Sequence, residues 1–243
     1  MLRVRVIAPF AAFRTFTAGY FRPTAPFITP SAAYGLILNL AGVESRFDDG
    51  KSRMTLMRDD IPDLEIALGA INLPGQHSIY QQLHNYPVGP DTGKAYQPSC
   101  KGAKYNIQLV RREFLSGIDA YLCIRGNEEI EKRVRSCIAS DTSPDNGESP
   151  RYGIPFLGDN NFMIDTVILE PGPGRQAFWL TKDQEEAGSD TDRVRRMRLT
   201  EWIDRADMSK TVTGVYRLSN EQALGPPSEA WVHIGPGCLR RTA

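Results

Sequence analysis

The order of apolar and polar positions along the chain predicts two helices among several strands. Residues 2–7 alternate apolar residues with arginine, which indicates a strand with one buried face. Apolar residues recur at helical spacing in residues 30–41 and again after Asn127, which can cap the second helix. Three other segments are rich in apolar residues and typical of strands: 64–73, 118–124 and 162–169.

A long β-hairpin is predicted between residues 76 and 112, where two alternating arms flank a tip rich in glycine and proline. The order strand, helix, strand, hairpin, strand, helix, strand predicts an α+β fold of the ferredoxin-like (RRM-like) type with the hairpin inserted as a thumb. We expect this domain to comprise residues 1–171. Residues 172–243 are expected to form a small, mainly β C-terminal lobe.

The first helix carries signals for both of its ends. Thr29 and Pro30 suit the N-cap and the first helical position, and Gly42 suits a left-handed stop. Arg14 and Arg22 lie upstream, in an N-terminal stretch without acidic residues. Because free N–H groups and the helix dipole attract anions, this pattern predicts a phosphate-binding site at the start of the helix.

Composition and charge narrow the range of functions. The formal net charge of the 243 residues is zero, which argues against indiscriminate binding of polyanions over the whole surface. The four cysteines lack paired C-x-x-C spacing, so we predict neither a metal site nor another cofactor. No apolar run resembles a signal peptide or is long enough to span a bilayer. We therefore expect a cytoplasmic protein without a membrane partner.

Aromatic and basic residues are interleaved in the predicted hairpin. Tyr80 and His84 fall on one face of the first arm because their spacing is even. Four basic residues near the tip and in the second arm accompany them: Lys101, Lys104, Arg111 and Arg112. Single-stranded nucleic acid is bound by this combination, since cations neutralise its phosphates and rings stack on its bases. The alternative is a solvated hairpin whose charges only protect a sheet edge.

Histidine spacing does not favour a catalytic centre. A metal-independent ribonuclease needs an acid and a base, usually histidines, that reach the same phosphate. His77 and His84 are separated by an odd number of positions, so they face opposite sides of one continuous strand, and His233 is distant in sequence. The common nucleotide-hydrolase, zinc-protease and serine-hydrolase motifs are missing from the sequence. We therefore predict a protein without catalytic activity of its own.

Three segments resemble the Cas5 family of CRISPR-associated proteins, in particular the branch of type I-B-like systems: AAFR at 11–14, RPTAPFITPSAAYGLILNLAG at 22–42 and YGIPFLGDNNF at 152–162. The resemblance implies a fold of the RAMP superfamily with a hairpin thumb. It also implies a subunit of the Cascade complex that binds the 5′ handle of the CRISPR RNA, caps the backbone filament and contacts the large subunit near target DNA. The handle-binding residues would be Arg14, Arg22, Thr24, Ser31 and Tyr34.

The resemblance leaves two alternatives to a purely RNA-binding subunit. One branch of the family cleaves precursor RNA with a tyrosine, a lysine and an adjacent histidine, whereas Lys104 is followed here by Tyr105. This departure favours binding over endoribonuclease activity. A subunit that contacts only proteins is the second alternative. Antiviral defence and guided transposition are both compatible with the resemblance.

Overall fold

The computed structural model describes residues 1–15, 20–52, 55–84, 107–140, 154–183 and 196–238, and it has an α+β fold dominated by antiparallel sheet. For residues 83, 84, 107 and 108 only the backbone is described. The helices are α1 (Pro30–Leu40) and α2 (Glu128–Ala139). The strands are β1 (Leu2–Ala11), β2 (Phe21–Arg22), β3 (Arg46–Phe47), β4 (Leu56–Met57), β5 (Leu64–Asn72), β6 (Gly75–His84), β7 (Ile107–Arg125), β8 (Thr166–Leu169), β9 (Phe178–Lys182), β10 (Met197–Trp202), β11 (Val212–Leu218) and β12 (Val232–Ile234).

One ten-stranded sheet organises the described residues, with the strand order β10-β11-β9-β5-β7-β1-β8. β12 also pairs with β5, and β2 and β6 also pair with β7, while β3 and β4 form a separate two-stranded ribbon. All of these pairings are antiparallel except that of β2 with β7. β9 and β12 both pair with β5, so the chain after residue 171 continues the sheet built by the preceding part.

Both predicted helices are confirmed, together with their caps. The Thr29 side chain accepts a hydrogen bond from the Ala32 N–H, Pro30 is the first residue of α1, and Gly42 has a φ of 64°. The Asn127 side chain accepts from the Ile130 N–H at 3.0 Å at the start of α2. α1 buries its apolar side chains in the main core against the strands, since Leu36 and Ile37 are almost inaccessible. Neither helix combines the length and apolar character needed to cross a membrane.

β7 is longer than predicted, because it joins the second hairpin arm and the predicted strand 118–124 into one strand. Gly117 lies inside it with a φ of 68°, a conformation that glycine adopts without strain, so the strand continues through this position. Before Gly117, β7 pairs with β6 along the whole of that strand, from Gly75 opposite Ser116 to His84 opposite Ile107. After Gly117, it pairs with β5, while its pairing with β1 runs from Leu115 to Ile124.

The predicted strand 162–169 is shorter in the structure, where β8 begins only at Thr166. The preceding residues instead form a compact turn in which Phe156 bridges to Met163 and Leu157 is fully buried.

A second, smaller core lies around Trp179, whose ring stacks on Tyr121 at a centroid distance of 6.2 Å. Glycine at position 69 leaves room for the Trp179 ring, because a Cβ there would lie only 3.0 Å from the indole.

Candidate nucleic-acid interface

Three exposed side chains form a row across three neighbouring strands. Phe21 of β2 lies opposite Arg111 of β7, and Arg111 lies opposite Tyr80 of β6. The Arg111 guanidinium carbon lies 5.2 Å from the centroid of the Phe21 ring, and its Nη2 donates to the Ser78 hydroxyl at 3.4 Å. Tyr80 is 71% exposed and Phe21 is 43% exposed. We call Phe21, Arg111 and Tyr80 the stacking row.

The chemistry of the stacking row suits single-stranded nucleic acid. Adjacent strands are about 4.8 Å apart, so two rings and a planar cation are presented side by side over roughly 10 Å. Aromatic rings offer stacking surfaces to bases of any sequence, and a guanidinium group can bind a phosphate or stack on a base. The sequence indicates Tyr80 and Arg111 but not Phe21, because β2 has only two residues and shows no periodicity.

Arg112, predicted to contact RNA, is instead a structural residue. It is only 7% exposed, and its guanidinium forms an ion pair with Asp159 and lies 5.1 Å from the centroid of the Phe162 ring. Because successive side chains of a strand point to opposite faces, Arg112 turns inward where Arg111 turns outward. The motif at 152–162 thus supplies the acid and the ring that hold this part of β7.

Two other predicted contact residues are also used inside the protein. The buried Thr24 hydroxyl accepts from the Phe13 N–H at 2.9 Å and donates to the Ala25 carbonyl at 3.1 Å. Tyr34 is buried, donates to the Pro62 carbonyl at 2.7 Å and packs against Trp202. Both side chains therefore fix the segment that carries β2 and α1 and are shielded from a ligand.

The start of α1 is more enclosed than the sequence predicts. Thr29 and Pro30 are buried, and the Thr29 oxygen already satisfies the Ala32 N–H. Ser31 is partly exposed, and its hydroxyl hydrogen-bonds that of Thr29 at 3.2 Å. The protein's own cap thus occupies part of the anion site expected at this helix end.

Arg14 and Arg22 remain available for a ligand. Arg14 is exposed and its backbone bridges to Thr24, while the partly exposed Arg22 follows Phe21 in β2. Neither forms an ion pair with a carboxylate in the part of the chain that the structure describes. Lys101 and Lys104 lie outside the described residues, as does the side chain of His84.

A separate aromatic cluster consists of Phe10, His77, Phe114 and Phe162. Phe114 contacts each of the other three rings, with centroid distances of 5.5 Å to Phe10, 5.4 Å to His77 and 6.1 Å to Phe162. Phe10 is 45% exposed, and His77 is also exposed while its Nε2 lies 2.7 Å from the Ser116 hydroxyl. The cluster is an exposed apolar surface of the kind found at protein interfaces.

The chain is similar to one protein family and to solved structures. The family model described as CRISPR-associated protein (Cas_Cas5) matches residues 1–145, which is more than half of the chain. A solved structure titled "CRISPR RNA-guided surveillance complex" is similar with a TM-score of 0.56 and 14% identity, covering 94% of this chain and 95% of that chain. Another, titled "Crystal structure of Cas protein", has a TM-score of 0.45 and 12% identity, covering 93% and 99%. No curated protein sequence matches the chain.

Proposed function

Because the chain belongs to the Cas5 family of CRISPR-associated proteins, we propose that it is a non-catalytic subunit of a type I Cascade complex and binds the 5′ handle of the CRISPR RNA there. In this role it caps the backbone filament beside the large subunit, acts in the cytoplasm and supports RNA-guided recognition of target DNA. The stacking row is the observation that carries the RNA-binding part of the proposal.

The order of the central strands supports a ferredoxin-like domain. β8, β1, β7 and β5 are neighbours in that order, α1 lies between β1 and β5 in the chain, and α2 lies between β7 and β8. This is the arrangement of a split βαβ fold. The pairing of β6 with the first half of β7 supports a hairpin that extends from this domain as a thumb.

The position of the stacking row supports RNA binding along the described arms of that hairpin. β2 brings Phe21 and Arg22 from the arginine-bearing N-terminal segment to the same strand that carries Arg111. Two regions that the sequence assigns separately to RNA, the segment upstream of α1 and the hairpin, are therefore adjacent. An RNA chain that crosses from one to the other meets both rings and the guanidinium of Arg111 between them.

The aromatic cluster supports a protein partner in addition to RNA. It combines the exposed rings of Phe10 and His77 with two exposed side chains: Ile79, two positions after His77 in β6, and Met163, which follows Phe162 in the chain. Exposed apolar groups that are contiguous on a soluble surface are usually covered by a partner. We assign this surface to the contact with the backbone subunit or the large subunit.

Ultraviolet crosslinking in the assembled complex tests the proposal. The full chain is produced with the products of its neighbouring genes and a repeat-containing RNA, and the complex is irradiated and digested for mass spectrometry. We expect RNA adducts on the peptides that contain Phe21 and Tyr80. Tyr80→Ala should remove its own adduct, whereas Leu224→Ala, which alters a side chain that is 48% exposed in the C-terminal part, should leave both. A complex that contains the RNA but lacks these adducts would favour the protein-only structural subunit.

The endoribonuclease alternative is tested separately on the purified chain. Repeat RNA is incubated with the protein in the presence of a chelator, so that only metal-independent cleavage is detected. We expect intact RNA. Discrete cleavage products that disappear in His84→Ala or His77→Ala would replace the non-catalytic role with a processing role.

A further inference from the structure

Two arginines from distant parts of the chain lie at the ribbon formed by β3 and β4. Arg46 belongs to β3, and its neighbour Phe47 is paired with Leu56 of β4. Arg205 reaches the same ribbon, because its Nε donates to the carbonyl of Thr55 at 2.6 Å. The ribbon therefore brings Arg46 and Arg205 together although they are 159 positions apart in the sequence.

Electrostatics adds Arg14 to this pair. Partial burial lowers the pKa of Arg205, and the charges of Arg46 and Arg14 lower it further, so each of these two cations repels Arg205. None of them forms an ion pair with a carboxylate of the described chain. Asp204 is adjacent to Arg205, but its Oδ1 accepts from the N–H groups of Ala206 and Asp207.

We propose that Arg14, Arg46 and Arg205 form a phosphate-binding site that takes a phosphodiester group of single-stranded RNA. A phosphodiester carries acceptor oxygens that several guanidinium groups can share, and charge-assisted bonds to it relieve the repulsion among the cations. Arg14 and Arg46 are exposed, and Arg205 uses only Nε for the hydrogen bond to Thr55. Its two terminal nitrogens can therefore face a ligand.

This site deepens the proposed function and rests on it, because it extends the path of the same RNA. Arg14 bridges to Thr24, which lies two residues, or about 7 Å of extended chain, from Arg22 in β2. The segment that carries the stacking row is thus continuous with the segment that carries Arg14. RNA that stacks on Phe21 can reach the three arginines within a few nucleotides, where its backbone rather than its bases is held.

Salt-dependent binding by the purified full chain tests the site. Fluorescence anisotropy with a labelled single-stranded repeat RNA is measured over a series of salt concentrations for Arg46→Gln, Arg205→Gln and the wild type. Arg217→Gln is the matched control, because Arg217 is an exposed arginine on β11. Loss of one phosphate contact should weaken binding about three- to tenfold at low salt and reduce the slope of log K against log salt by about 0.7. Circular dichroism verifies that each variant is folded. Arg46→Gln is the decisive variant, because Arg46 is exposed and its replacement should not affect folding.

The outcomes separate this site from the proposed function. Reduced slopes in Arg46→Gln and Arg205→Gln, with a normal slope in Arg217→Gln, support the site. If Tyr80→Ala weakens RNA binding while Arg46→Gln retains the wild-type affinity and slope, the three-arginine site is wrong and the proposed function stands. If the wild-type chain binds no RNA and the assembled complex yields no RNA adducts, both are overturned.

Discussion

The buried guanidinium of Arg112 forms an ion pair with Asp159, while its neighbour Arg111 extends to the opposite face of β7. Asp159 belongs to a turn that it also stabilises, since its Oδ1 accepts from the Asn161 N–H at 3.0 Å and from the Asn161 side-chain amide at 2.7 Å. The turn thereby fixes the rotation of β7 at the point where the stacking row is displayed. A structural ion pair on one face sets the position of a proposed RNA contact on the other.

Asp159→Asn is expected to destabilise the fold. Arg112 would keep its buried charge without its counter-ion, and a buried charge that loses its partner is costly. Asp159 is partly exposed, so water can replace some of the lost interaction. We therefore expect the free energy of unfolding to fall by about 2 kcal/mol. Thermal denaturation should show a fall in Tm of about 4–8 °C for this chain length. Asp165→Asn, at an exposed position nearby, should leave the Tm unchanged.

Gly158→Ala should disturb the same turn through sterics rather than charge. Gly158 has a φ of 81°, and an added Cβ would collide with the Ala12 carbonyl oxygen and the Phe13 ring. We expect the free energy of unfolding to fall by at least about 2 kcal/mol, because alanine is strained at this positive φ and its Cβ clashes with the packed neighbours. The measurement is urea denaturation of the full chain. An unchanged midpoint would show that the turn does not pack on Ala12 and Phe13 in solution.

The sequence predicts the local elements better than the contacts between distant segments. The caps at Thr29 and Asn127 depend on side chains within three residues of the groups that they bind. Local sequence is therefore enough to predict where both helices begin. Phe21 acquires its place only by pairing with Arg111, ninety positions later. Arg112 carries the same charge as Arg111; strand alternation places the two on opposite faces, but which face is buried, and that Asp159 lies there as the counter-ion, follows only from the packing of distant segments.

Gly35→Ala is expected to stabilise the chain. Gly35 is exposed within α1, and a Cβ at this position would meet no atom within 4 Å, so packing against the sheet does not require glycine. Replacement of a glycine inside a helix by alanine should add about 1 kcal/mol to the free energy of unfolding. Urea denaturation of the isolated chain measures it. A destabilised variant would show that α1 is packed more tightly on this side than in the structure.

Stability should decline at alkaline pH through Cys123. Burial raises the pKa of the Cys123 thiol to about 11, although Arg3 opposes this increase. An acid whose pKa is raised by folding contributes stability that is complete below its unfolded pKa, near 9, and is lost as the pH rises toward 11. Between pH 8.5 and 10.5 the wild type should therefore lose about 2 kcal/mol more than Cys123→Ala. Urea denaturation of both proteins at the two pH values measures these losses. An equal loss of unfolding free energy in the wild type and in Cys123→Ala would contradict this assignment.

The rings and the arginine of the stacking row should contribute to the RNA-binding affinity in two different ways. Tyr80→Ala removes a stacking surface but no charge, so it should weaken binding of single-stranded RNA by about 1–3 kcal/mol at every salt concentration and leave the salt slope unchanged. Arg111→Gln removes a cation, so it should weaken binding mainly at low salt and reduce the slope by about 0.7. Tyr80 is largely exposed, and neither change should alter the Tm by more than a degree or two. Fluorescence anisotropy over a salt series distinguishes the two effects, with Leu224→Ala and Arg217→Gln as the apolar and charged controls. If Tyr80→Ala changed the slope as Arg111→Gln does, Tyr80 would act by positioning Arg111 rather than by stacking on a base.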